Sequence, residues 1–206
     1  LCILSEDIFE DISVGELIGG YQFGRDNDYF TAPLFDEQLT LLELEKNEKL
    51  EFFANSFLIL ASNIDIKSVE FPQLGIFFSV DRKKPWQTVS RIERDDDGVI
   101  SVNKSLLSEE RKVTVSDISL QETRSIWIDG FSLETTLLRM VRFKNMSINE
   151  LFKPCIIWVN TLRKVSEIKD GERTLDGKYL DYIWRNSYLS NNEGVFIDQE
   201  WVRESE

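Results

Sequence analysis

From Gly75 onward the hydrophobic pattern changes period, and that change constrains the fold more than any other feature of the chain. Ile76–Val80, Thr88–Arg94 and Val99–Leu106 read with a period of two, as strands with one face on a core and the other in water. Asp95-Asp96-Asp97-Gly98 joins the second to the third as a tight hairpin, with Gly98 free to take positive φ. Val113–Val115 and Ser125–Ile128 suggest two further strands. The expectation is an α+β fold carrying an antiparallel sheet of about five strands.

Helical patterns flank this sheet. Asp36 is placed to cap a helix running to about Asn47, with Glu37 in its first turn and Leu39, Leu41, Leu42 and Leu44 supplying an apolar face. Phe52–Ala61 is apolar enough for a buried strand, interrupted by Asn55-Ser56, and the polar stretch ending at Pro72 is a candidate boundary. After the sheet, Ser132 caps a helix bearing Leu133, Leu137, Leu138 and Val141. Ser147-Ile-Asn-Glu150 then forms a capping box for a second helix. Pro154 falls beyond that helix's first turn and predicts a kink or a late start. A hairpin around Asn191–Gly194 and a strand over Val195–Trp201 complete the pattern.

Composition narrows the chemistry. A formal net charge of −13 argues against nucleic acid and anionic membranes as partners. The chain has no run of eighteen apolar residues and no signal peptide, which predicts a cytoplasmic protein without a transmembrane segment. It opens on Leu1 without a Met and reads as a piece of a longer polypeptide. Two cysteines, Cys2 and Cys155, make neither a disulfide framework nor a zinc site. With no histidine at all, imidazole acid–base chemistry is excluded, so catalysis would rest on carboxylates, Lys, Tyr or Ser.

One constellation carries chemistry. Asp181 is followed by four spacers and Asn186, then a short hairpin, then Asp198 after two apolar residues. With the preceding sheet, Lys104 on its third strand, the connection Trp127-Ile-Asp-Gly-Phe-Ser-Leu-Glu134 and two helices, this order resembles the protein-kinase family over about residues 75–206. The resemblance implies Asp181 as the base that takes an acceptor hydroxyl's proton. It implies Asn186 and Asp198 as Mg²⁺ ligands, and Lys104 as the group that grips the phosphates of ATP. The loop Asp81–Trp86 between the first two strands has no glycine, so the usual backbone phosphate cradle is absent. Glu109 or Glu110 would have to supply the acidic partner of the strand lysine.

A second resemblance spans nearly the whole chain. Phe35-Asp-Glu37, Phe53-Ala-Asn-Ser-Phe-Leu58, Asp176-Gly-Lys-Tyr-Leu-Asp181 and Phe196-Ile-Asp-Gln-Glu-Trp201 are similar to the C-terminal part of bacterial multidomain SAM-dependent methyltransferases. These proteins serve surface-polysaccharide biosynthesis of the O-antigen or rhamnan type, often beside glycosyltransferase domains. On that resemblance residues 1–70 are the tail of a methyltransferase-type domain and residues 71–206 a truncated kinase-like domain. SAM would bind only through an upstream domain. The function implied is that of an accessory region of a transferase, with sugar phosphorylation if the site is live and a surface-polysaccharide or sugar acceptor as substrate.

Plainer readings stand beside these. The Asp181, Asn186 and Asp198 set is also what an Asx-rich turn system looks like, and Lys104 also fits an outward-facing lysine on an alternating strand. Trp127, Trp158, Trp184 and Trp201 suit a sugar platform or simple core packing. A domain that only docks glycan, glycosyltransferase or methyltransferase is the competing function.

Overall fold

The computed structural model describes residues 2–19, 35–54, 56, 73–107, 114–115, 117–143, 146–190 and 193–203. A short strand β1 (Cys2–Leu4) leads into helices α1 (Ile8–Asp11), α2 (Val14–Gly19) and α3 (Glu37–Lys46). Strands β2 (Gln73–Phe78), β3 (Thr88–Arg94) and β4 (Ile100–Leu106) follow, then β5 (Thr114–Val115), β6 (Ile118–Leu120) and β7 (Thr123–Ile126). Helices α4 (Leu133–Phe143) and α5 (Ile148–Val165) precede β8 (Glu167–Lys169), β9 (Glu172–Thr174), β10 (Ser187–Ser190), β11 (Glu193–Phe196) and β12 (Trp201–Arg203).

The chain is thus α+β, and its main sheet has five antiparallel strands in the order β1-β2-β3-β4-β7. The number matches the sequence expectation, but the membership differs. Cys2–Leu4 supplies an edge strand, while Thr114–Val115 leaves the sheet to pair with β6 in a separate three-stranded sheet of order β12-β6-β5. Three residues carry too little pattern to be read as a strand, so only the pairing with Gly75–Phe77 defines β1.

Local signals behave as their physics requires. The Asp36 side chain accepts from Leu39 N–H at 3.0 Å and starts α3, whose Leu39, Leu41 and Leu42 are buried. Ser147 and Glu150 form the capping box of α5, which begins at Ile148 and runs through Pro154. The late start expected from Pro154 does not occur: it is the seventh residue of an eighteen-residue helix, past the first turn, so the helix continues through it with the Glu150 carbonyl lacking its i→i−4 donor. The strand expected over Phe52–Ala61 is not formed where it is described: Leu50–Phe53 is a 3₁₀ turn with Phe52 and Phe53 exposed, and residues 57–61 lie outside the described set. The strand expected over Val195–Trp201 is broken. β11 ends at Phe196, Asp198 takes a left-handed φ of 58°, and β12 starts only at Trp201.

One core joins the N-terminal helices to the main sheet. Ile8, Ile12, Val14, Leu41 and Leu50 pack with Leu74, Phe77 and Ile92, and Ile100, Val102 and Trp127 lean on them. The described helices before residue 54 therefore cover the same sheet face that carries Val102. The candidate boundary at residues 62–72 lies outside the described residues.

Candidate functional site

The site begins with strand parity. Ile92 pairs with Val102 and Ser90 with Lys104, so Lys104 stands on the core face of β4, one pleat beyond Val102. At that point the apolar layer ends, and an ammonium there needs partners because burial without them is costly. Lys104 Nζ is ion-paired with Asp198 and lies 3.2 Å from Glu200 Oε2, with its side chain 12 % exposed. The sheet lysine thus meets Asp198, which the kinase resemblance assigns to Mg²⁺ rather than to Lys104.

The hairpin β10–β11 delivers the acidic side. Ser187 pairs with Phe196, and the Ile197 N–H donates to the Asn186 carbonyl at 2.9 Å just beyond the ladder. Asn186 and Asp198 therefore flank the open end of one hairpin. Asn186 is buried, and its Nδ2 donates to Asp181 at 3.0 Å to Oδ2 and 3.2 Å to the carbonyl. A 3₁₀ turn over Trp184–Asn186 tightens the loop that carries both residues. Burial raises the Asp181 carboxyl above its ordinary pKa. The charges of Asp198 and Glu200 add to that, against the Asn186 hydrogen bond and the charge of Lys104.

Glu200 is the member of this cluster that sequence reasoning missed. It is completely buried, and its Oε1 accepts from Arg82 Nη2 at 2.6 Å. Its Oε2 faces Lys104 at ion-pair distance but makes no hydrogen bond among the described residues, nor does Arg82 Nη1. Burial works against the charge of Arg82, but the Glu200 hydrogen bond and the carboxylates of Glu200, Asp198 and Asp81 outweigh it and raise its pKa. Glu109 and Glu110, expected as alternative partners of Lys104, lie outside the described residues. The signal for Glu200 was present in Asp198-Gln-Glu200, where two carboxylates two positions apart flank the break before Trp201.

Arg82 belongs to the glycine-free loop between β2 and β3. That loop packs down on the start of β12: the Trp86 and Trp201 rings are 5.1 Å apart, and the Arg82 guanidinium lies 5.3 Å from the Trp201 centroid. Arg82 from this loop and Lys104 from β4 thus meet at Glu200. Three carboxylates, Asp181, Asp198 and Glu200, surround two cations, Arg82 and Lys104. Such a cluster offers phosphate-binding charge, carboxylate and amide oxygens for a hard cation, and a proton acceptor. Among the described residues, no three His, Cys, Asp or Glu side chains group so as to hold a metal ion by themselves. No described helix is long and apolar enough to cross a membrane.

No protein-family model, no curated protein and no solved structure matches this chain.

Proposed function

We propose that this cleft is a kinase-like phosphotransfer site within a transferase of bacterial surface-polysaccharide biosynthesis, acting on a sugar hydroxyl. The observation that carries the proposal is the pairing of Lys104 with Asp198, beside an Asn186 that holds Asp181. The glycan setting and the link to SAM-dependent methylation or a glycosyltransferase rest on the sequence resemblance alone.

The donor set fits Mg²⁺ and ATP. Mg²⁺ needs only one or two protein oxygens when phosphates and waters fill the rest of its octahedron. Asp198 would supply a carboxylate, and Asn186 its Oδ1, since Nδ2 is engaged by Asp181. Lys104 and Arg82, with its unengaged Nη1, would take phosphate oxygens. When bound, the ion and nucleotide supply the phosphoryl group and its charge neutralisation. Asp181 is oriented by Asn186 and carries a raised pKa, so it would accept the proton of an acceptor hydroxyl. Its basicity is greater than that of a solvated carboxylate.

A second reading is favoured by the closed state of the cluster. Arg82 and Lys104 are both already neutralised by Glu200 and Asp198, and Trp86 stacks over Trp201, which suits a non-catalytic docking domain. Thermal melting of this chain with and without Mg·ATP separates the two. A ligand at a hundredfold excess over Kd adds about 2.7 kcal/mol, a rise of several degrees for a domain of this size. The shift should vanish in Asp198→Asn. A wild-type melting curve unmoved by millimolar Mg·ATP leaves the docking reading in place.

A further inference from the structure

The loop that carries Asp181 and Asn186 has a second set of side chains. Tyr182, Ile183, Trp184 and Arg185 line an open surface cavity of about 500 Å³, completed by Glu134 of α4 and Trp158 of α5. Its walls are tied to their neighbours by ring contacts and hydrogen bonds. The Tyr182 ring stacks on Phe196 at 3.4 Å, with its hydroxyl accepting from Gln199 at 3.0 Å. The Trp158 indole N–H donates to Ser187 Oγ at 3.2 Å, and Trp184 stands edge-on to Trp158 with ring centroids 6.3 Å apart. Trp184 is nonetheless 45 % exposed, a large aromatic surface held open beside the proposed base. At the rim Arg185 Nε donates to Glu134 Oε2 at 2.9 Å.

We propose that this cavity is a carbohydrate subsite that holds the acceptor sugar, with Trp184 as its stacking platform and the Arg185–Glu134 pair as its polar edge. Its role as an acceptor site rests on the phosphotransfer reading; its ability to bind a sugar does not. A pyranose presents an apolar C–H face and a rim of vicinal hydroxyls. The cavity offers the complement: an exposed indole for the face, and a planar donor fork beside a carboxylate for the rim. The pair is neutral overall, which suits an uncharged polyol, whereas an anionic ligand would face Glu134. The size lies within the range of small-molecule sites. The lining residues follow Asp181 directly in the chain, on the same loop whose Ile183 N–H donates to the Asp181 carbonyl at 2.9 Å, although the Asp181 carboxylate itself is held by Asn186 and does not line the cavity.

The test uses the whole chain and the methyl pyranosides of glucose, galactose and mannose, followed by saturation-transfer NMR and tryptophan fluorescence. At least one glycoside should bind in the millimolar range, with saturation concentrated on one ring face. Trp184→Ala should weaken it by about tenfold or more, equivalent to about 1.4 kcal/mol, and Trp184→Phe should recover most of the loss. Both variants should keep a single cooperative unfolding transition, so that lost binding is not lost folding. No binding by any of the three at tens of millimolar, or binding unaffected by Trp184→Ala, overturns the subsite. Asp198→Asn should leave glycoside binding intact. Glycoside binding without a Mg·ATP response retires the phosphotransfer reading and keeps the subsite, whereas a Mg·ATP response without glycoside binding does the reverse.

Discussion

Glu200 shows how much one residue decides here. A fully buried carboxylate persists only with partners, and Arg82 and Lys104 are those partners. Glu200→Ala would leave both cations short of their counter-charge, at a cost of about 3 kcal/mol, the range seen when one member of a buried pair is removed. That corresponds to a fall of roughly 6–12 °C in Tm, measurable by calorimetry. Asp181 makes the opposite kind of prediction. Its folded pKa lies above its unfolded value of 3.8, because burial and the charges of Asp198 and Glu200 favour its neutral form. The folded state therefore holds this proton longer than the unfolded chain. The stability it contributes is fully present below the unfolded pKa and is lost as pH rises through the folded one. Wild type should lose stability relative to Asp181→Asn as pH rises above the unfolded value of 3.8, read from urea melts at each pH. A difference that stays flat, or grows in the opposite direction, contradicts the raised pKa.

At the scale of elements, close approaches and helix ends hold the cleft in place. A Cβ built on Gly177 would collide with the Arg203 carbonyl oxygen, so the 3₁₀ turn Gly177–Tyr179 and β12 touch backbone to backbone. Gly177→Ala must push β12 away, at a cost of about 1–3 kcal/mol, and with it the short segment that leads back to Glu200. Mg·ATP response and melting temperature should fall together in that variant. At the other end, buried Glu16 on α2 accepts from the Ser132 N–H at 2.9 Å and Thr135 Oγ1 at 3.1 Å, which anchors the start of α4. A carboxylate suits a helix N-terminus, where unpaired N–H groups converge. Glu16→Ala should destabilise the fold by about 1–3 kcal/mol by leaving those donors buried and unmet, which chemical denaturation would register.

Across the whole molecule, the core argues for cooperative unfolding. Ile8 is completely buried among residues of the N-terminal helices and of β2 and β3. Ile8→Ala should cost about 2–5 kcal/mol and lower a single transition reported alike by far-UV and tryptophan signals. Two separated transitions, with only the first moved, would instead show residues 1–70 folding as a unit of their own.

The sequence alone determined the elements whose signals are local. Alternation set β3 and β4, Asp36 and Ser147 set the starts of α3 and α5, and Asp95–Gly98 set the hairpin turn, because caps, turns and periodicity act within a few residues. The residue types at Lys104, Asp181, Asn186 and Asp198 were legible for the same reason, as a spacing. Only tertiary structure decided that Cys2–Leu4 is a sheet edge, that Thr114–Val115 is not in that sheet, and that Asp198 sits at a left-handed break in the expected strand. It alone brought Arg82 across 118 positions to Glu200, and Trp158 beside Trp184. Pairing partners, ion pairs and cavity walls depend on which distant surfaces meet, and that is fixed by burial of the shared core rather than by any window of neighbouring residues.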